Sequence, residues 1–111
     1  MSQSYLTSGL FRIVKKSEES VEIELSDASH PIFKAHFEGM PLLPGFLQID
    51  IIAEILGRDI DEITSAKFVH KVLPKERLLY TITPAKSGVR VKLSNNSNQL
   101  CGDFKLRWHK K

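Results

Sequence analysis

Residues 44–57, PGFLQIDIIAEILG, constrain the fold more than any other stretch. Pro44 suits the first turn of a helix, where its missing N–H costs nothing, and Gly57 suits the stop. Between them Phe46, Leu47, Ile49, Ile51, Ile52, Ala53, Ile55 and Leu56 put apolar side chains around almost the whole cylinder. Such a helix is expected to be buried on nearly every side. Packing must hold it, because β-branched isoleucines are not the best helix formers. The flanks supply the cover. Residues 11–14 and 21–25 read as strands, the second alternating with period two, with a polar turn over residues 15–20. Residues 63–72, 78–83, 89–93 and 100–108 read as four more strands, with turns at 73–76 and 84–88 and a hairpin tip at Asn95, Asn96 and Asn98. Two strands, a loop, one greasy helix and four strands predict an α+β fold, one antiparallel sheet wrapped around a single central helix. One sheet covers only part of such a helix, so a second copy of the chain is expected over the rest.

The chain has 111 residues, which predicts one domain over residues 1–111. The single cysteine, Cys101, excludes an intramolecular disulfide framework and any multi-cysteine metal site; a reduced, cytoplasmic protein is the simplest reading. Cys101 itself reads as a small hydrophobe. A net charge of +3 is too weak to argue for nucleic acid. No apolar run approaches the roughly 20 residues that span a bilayer, and the opening MSQSYLTSGL lacks a secretory signal. Neither nucleic acid nor membrane is therefore expected as a partner. The run KLRWHKK, with Lys105, Arg107, Lys110 and Lys111, reads as a solvated strand end, or as a landing surface for an acidic partner. His30, His70 and His109 have no paired metal-ligand spacing, so no metal site is expected, and each reads as structural or exposed.

Residues 26–45 form an apolar loop punctuated by Pro31, Pro41 and Pro44, which predicts mostly irregular backbone. A long apolar loop is more often functional than an ordinary connection. Within it His36 sits between rigid Pro and Gly positions and suits proton transfer near neutral pH. Asp50 lies inside the greasy helix, where an unpartnered carboxylate costs several kcal/mol in practice. Glu54, four residues on, repels it; the plain alternative is that both occupy one exposed stripe. Gly45 opens the helix. Its N–H is an orphan donor at the positive end of the helix dipole, and its lack of a side chain lets a carbonyl approach. A base, an acid and a carbonyl polariser suit proton abstraction beside a carbonyl followed by loss of a β-hydroxyl.

The stretch His30-Pro31-Ile32-Phe33-Lys34-Ala35-His36-Phe37-Glu38-Gly39-Met40-Pro41-Leu42-Leu43-Pro44-Gly45-Phe46-Leu47-Gln48-Ile49-Asp50 resembles the signature of the hot-dog-fold β-hydroxyacyl-ACP dehydratases. The form Leu-Pro-Gly-x-x-Gln-x-Asp is most similar to the small dehydratases of aryl polyene clusters. The resemblance is dense over residues 29–54 and continues weakly through Ser65-Ala66-Lys67-Phe68 and Val72-Leu73-Pro74. It implies a hot-dog fold and dehydration of a 3-hydroxyacyl thioester on acyl carrier protein to the trans-2-enoyl thioester. By position, His36 matches the catalytic base, Asp50 the acid that protonates the departing hydroxyl, and Gly45 the amide that polarises the thioester carbonyl. The family pairs His and acid from different subunits, which implies a homodimer, with a higher oligomer or a heterodimer with a related subunit as alternatives. No cofactor is implied. An acidic carrier would suit the cations Lys67, Lys71, Lys75 and Arg77. Two positions depart from the pattern: Glu38 replaces the usual proline, and Glu54 stands where Gln or a bulky apolar residue is common. A hot-dog thioesterase and a non-catalytic acyl-carrier-binding hot-dog protein are the alternative functions.

Overall fold

The computed structural model describes residues 9–36 and 43–108. The chain runs β1 (Phe11–Lys16), β2 (Ser20–Leu25), α1 (Pro31–His36), α2 (Gly45–Leu56), β3 (Ile60–Phe68), β4 (Arg77–Ala85), β5 (Gly88–Asn95) and β6 (Leu100–Trp108). All strand pairs are antiparallel, in one six-stranded sheet ordered β1-β2-β4-β5-β6-β3. This is the predicted α+β hot-dog architecture.

Period-two patterning builds the sheet's inner face. Val21, Ile23 and Leu25 of β2, Leu78, Tyr80 and Ile82 of β4, and Val89, Val91 and Leu93 of β5 are buried, while the residues between them face solvent. They share one core with Leu47, Ile49, Ile51, Ile52 and Ile55 of α2. Polar contacts fix the helix on the sheet at two points. The Tyr80 hydroxyl donates to the Gln48 carbonyl at 3.2 Å, and Lys16 Nζ of β1 donates to the Ile55 carbonyl at 3.1 Å. The second places a cation at the negative end of the helix. Gly57 closes α2 in the left-handed region (φ 65°), returning its N–H to the carbonyls of Ala53 and Glu54.

Two expectations change. Residues 31–36 are helical rather than irregular, because Pro31 occupies the first helical position and the His30 Nδ1 accepts the Ile32 N–H at 3.1 Å. β3 runs from Ile60 to Phe68 rather than over residues 63–72. Beyond Phe68 the chain leaves the ladder: Val69 and His70 both donate to the Cys101 carbonyl, and the Val72 carbonyl accepts the Leu43 N–H at 2.8 Å. Within the single chain α2 is only partly covered, as expected of a helix under one sheet: Phe46 is exposed and Asp50, Ala53, Glu54 and Leu56 are half-buried.

Candidate active site

Pro44 caps α2 with extended backbone (φ −61°, ψ 147°) and no side-chain hydrogen bond. Its carbonyl accepts the N–H groups of Leu47 and Gln48 at 3.1 and 3.2 Å. No peptide bond among the described residues is cis. The Gly45 N–H, in the same trans peptide unit as that carbonyl, therefore points the opposite way, out of the helix end. No acceptor meets it among the described residues. A Cβ built on Gly45 would lie 2.7 Å from Cε1 and Cζ of the Phe68 ring, which in turn sits edge-on to buried Phe104 with ring centroids 5.5 Å apart. Only glycine leaves the ring where it is. The unpaired amide thus has an aromatic wall beside it and the helix dipole behind it.

Asp50 sits on α2 beside β3. It lines a cleft of about 490 Å³ with Ile49, Ala53, Asp59, Ile60, Asp61, Glu62 and Ile63. Burial pushes its carboxyl above the ordinary carboxylate range. Glu54 is also half-buried, so the two acids do share the less enclosed stripe of the helix.

His36 ends α1, and its side chain, like all of Glu38, lies outside the described residues. The described residues thus place Gly45 and Asp50 on one helix and give no distance to the imidazole. Of the other histidines, His30 caps α1, His70 is exposed just past β3 rather than on a strand, and His109 lies outside the described residues. Cys101 is buried in the core. Lys67, Lys71 and Lys75 are exposed, whereas Arg77 pairs with Glu22 at 3.5 Å. No group of three or more His, Cys, Asp or Glu among the described residues could hold a metal ion. No helix among them is long and apolar enough to cross a membrane.

Sequence reasoning gave no role to Gln48 or Tyr80. Gln48 is 4% exposed and Tyr80 1%. The available signal was the one amide side chain in a largely apolar helix, the Gln of the Leu-Pro-Gly-x-x-Gln-x-Asp form.

The family model for the ApeI dehydratase, ApeI-like, matches residues 13–105, nearly the whole described chain. The chain belongs to the ApeI-like dehydratase family. This ApeI-like chain is 31% identical over 86 residues to a bifunctional enzyme LpxC/FabZ of Bacteroides thetaiotaomicron, covering 62% of this chain and 19% of that enzyme. It is 28% identical over 95 residues to a 3-hydroxyacyl-[acyl-carrier-protein] dehydratase FabZ of Cereibacter sphaeroides, covering 72% of this chain and 61% of that enzyme. Among solved structures, a chain of the dehydratase heterocomplex ApeI:P from Xenorhabdus doucetiae superposes with a TM-score of 0.71 at 23% identity, covering 89% of this chain and 95% of that one. Gly45 and Asp50 both fall inside the stretch the ApeI-like model matches.

Proposed function

We propose that this chain removes water from a 3-hydroxyacyl thioester borne on acyl carrier protein, giving the trans-2-enoyl thioester. The Gly45 amide polarises the thioester carbonyl and so acidifies the α-carbon. His36 takes the α-proton as the C=C bond forms. The C–O bond at the β-carbon breaks, and protonated Asp50 gives its proton to the departing hydroxyl, which leaves as water. The imidazolium then returns a proton to the Asp50 carboxylate through solvent. His36 comes from one copy of the chain and Asp50 from the other. A reducing cytoplasmic setting suits a chain with one cysteine. The observation that carries this reading is Asp50: burial favours the neutral acid that the step needs, on the same helix that offers the unpaired Gly45 amide.

The test incubates pure protein with a 3-hydroxyacyl carrier thioester and follows enoyl formation and free thiol by mass spectrometry. Dehydration by the native protein, abolished in His36→Ala and Asp50→Asn, is the expected result. Thiol release without enoyl product would instead assign a thioesterase, and binding without turnover a non-catalytic carrier-binding protein.

A further inference from the structure

We propose that Gln48 is a positioning residue that holds the peptide unit presenting the Gly45 amide; this rests on the dehydratase reading. Helix starts are usually tied down by a capping side chain at the first position or by a side chain reaching back to that position's N–H. Neither is available here, because the cap is Pro44, which has no N–H and makes no side-chain bond. Gln48 replaces both with donors. Its backbone N–H reaches the Pro44 carbonyl at 3.2 Å, and its side-chain Nε2 reaches the Leu43 carbonyl at 3.4 Å. One residue thereby grips two successive carbonyls: its main-chain N–H holds that of Pro44, in the same rigid peptide unit as the Gly45 N–H, and its side chain holds that of Leu43, one unit earlier, fixing the unit through which the chain enters it. The grip is anchored from both sides. Buried Tyr80 donates to the Gln48 carbonyl at 3.2 Å, and the Leu43 N–H is tied to Val72 at 2.8 Å.

The cost of this arrangement is visible. Gln48 Oε1 is buried and has no hydrogen-bond partner among the described residues. An orphaned amide oxygen in a core opposes folding, and a methionine of similar length would fill the space without it. A side chain retained against stability is explained by what its other end holds, and that is the entry to the amide.

Gln48→Met separates positioning from packing. Expected are a Tm equal to or above the native value, a kcat on 3-hydroxyacyl thioester lower by about tenfold or more, and a KM changed by less than about twofold. The NMR amide shift of Gly45 should move while that of Gly57, at the far end of α2, stays. A folded Gln48→Met protein with native kcat and a native Gly45 shift would overturn the proposal. Should it not fold, Gln48→Asn, too short to reach Leu43, is read by the same two outcomes. If the native protein dehydrates no 3-hydroxyacyl thioester, the functional reading fails. The Gly45 shift then still decides the clamp: movement upholds it and no movement overturns it.

Discussion

Asp50 shows how one residue's environment links its ionisation to stability. Its folded pKa is raised by burial, so the folded state binds the proton more tightly than the unfolded chain does. That contribution is fully present below the ordinary Asp range and is lost as pH rises through the folded value. Desolvation by burial is the cause of that shift. Asp50→Asn should therefore gain thermal stability relative to the native protein on going from acid to neutral pH, read as the difference between two Tm-versus-pH curves. Its dehydration rate should fall by about 10²–10⁴-fold, the usual share of a general acid. Parallel Tm curves would show that Asp50 ionises freely. At this scale the sequence singled out Asp50 and was blind to anchoring. A carboxylate inside a greasy run is conspicuous in a string of letters. The anchoring of Gln48 by Tyr80 was not, because a hydrogen bond between residues 32 apart leaves no local pattern.

At the scale of elements, α2 carries Gly45 and Asp50 of the candidate site, so its seat on the sheet sets where they lie. Ile51 is fully buried in the core shared with the strands. Ile51→Ala should cost about 2–5 kcal/mol, measured by denaturant unfolding. Gly57→Ala acts differently: it removes no packing but forces a Cβ into the left-handed region at φ 65°, at about 1–2 kcal/mol. Should that variant unfold as the native protein does, the C-terminal stop is not held in this conformation. Periodicity made α2 and most strands legible, since Pro44, Gly57 and the alternation in β2, β4 and β5 are local signals. It failed where single hydrogen bonds outside the periodic pattern decided. α1 depends on a His30 ring nitrogen that caps its start, and β3 ends early because Val72 turns away to hold Leu43.

At the scale of the whole molecule, the side that carries the candidate site is open. β3 is an edge strand whose other side has no partner strand among the described residues, and Ile63 and Phe68 along it are 49% and 53% exposed. Phe46, at the start of α2, is 54% exposed, and the Asp50 cleft is walled by β3 residues from Ile60 to Ile63. An exposed apolar edge of this length attracts another strand, and a second copy pairing there would extend the sheet and cover the cleft. In that arrangement each of two sites takes His36 from one copy and Asp50 from the other. The consequence is a complementation test. His36→Ala and Asp50→Asn should each be inactive alone. In a hybrid dimer of the two, one site has lost both groups and the other keeps both. Equal mixing under conditions that let subunits exchange makes half the dimers hybrid, so activity should return to about a quarter of the native value. A site built within one chain would show no recovery at any mixing ratio. Ile63→Lys, which sets a charge on the edge, should shift the protein towards monomer by sedimentation and remove activity with it. A fully active monomer would show that Asp50 and His36 act within a single chain.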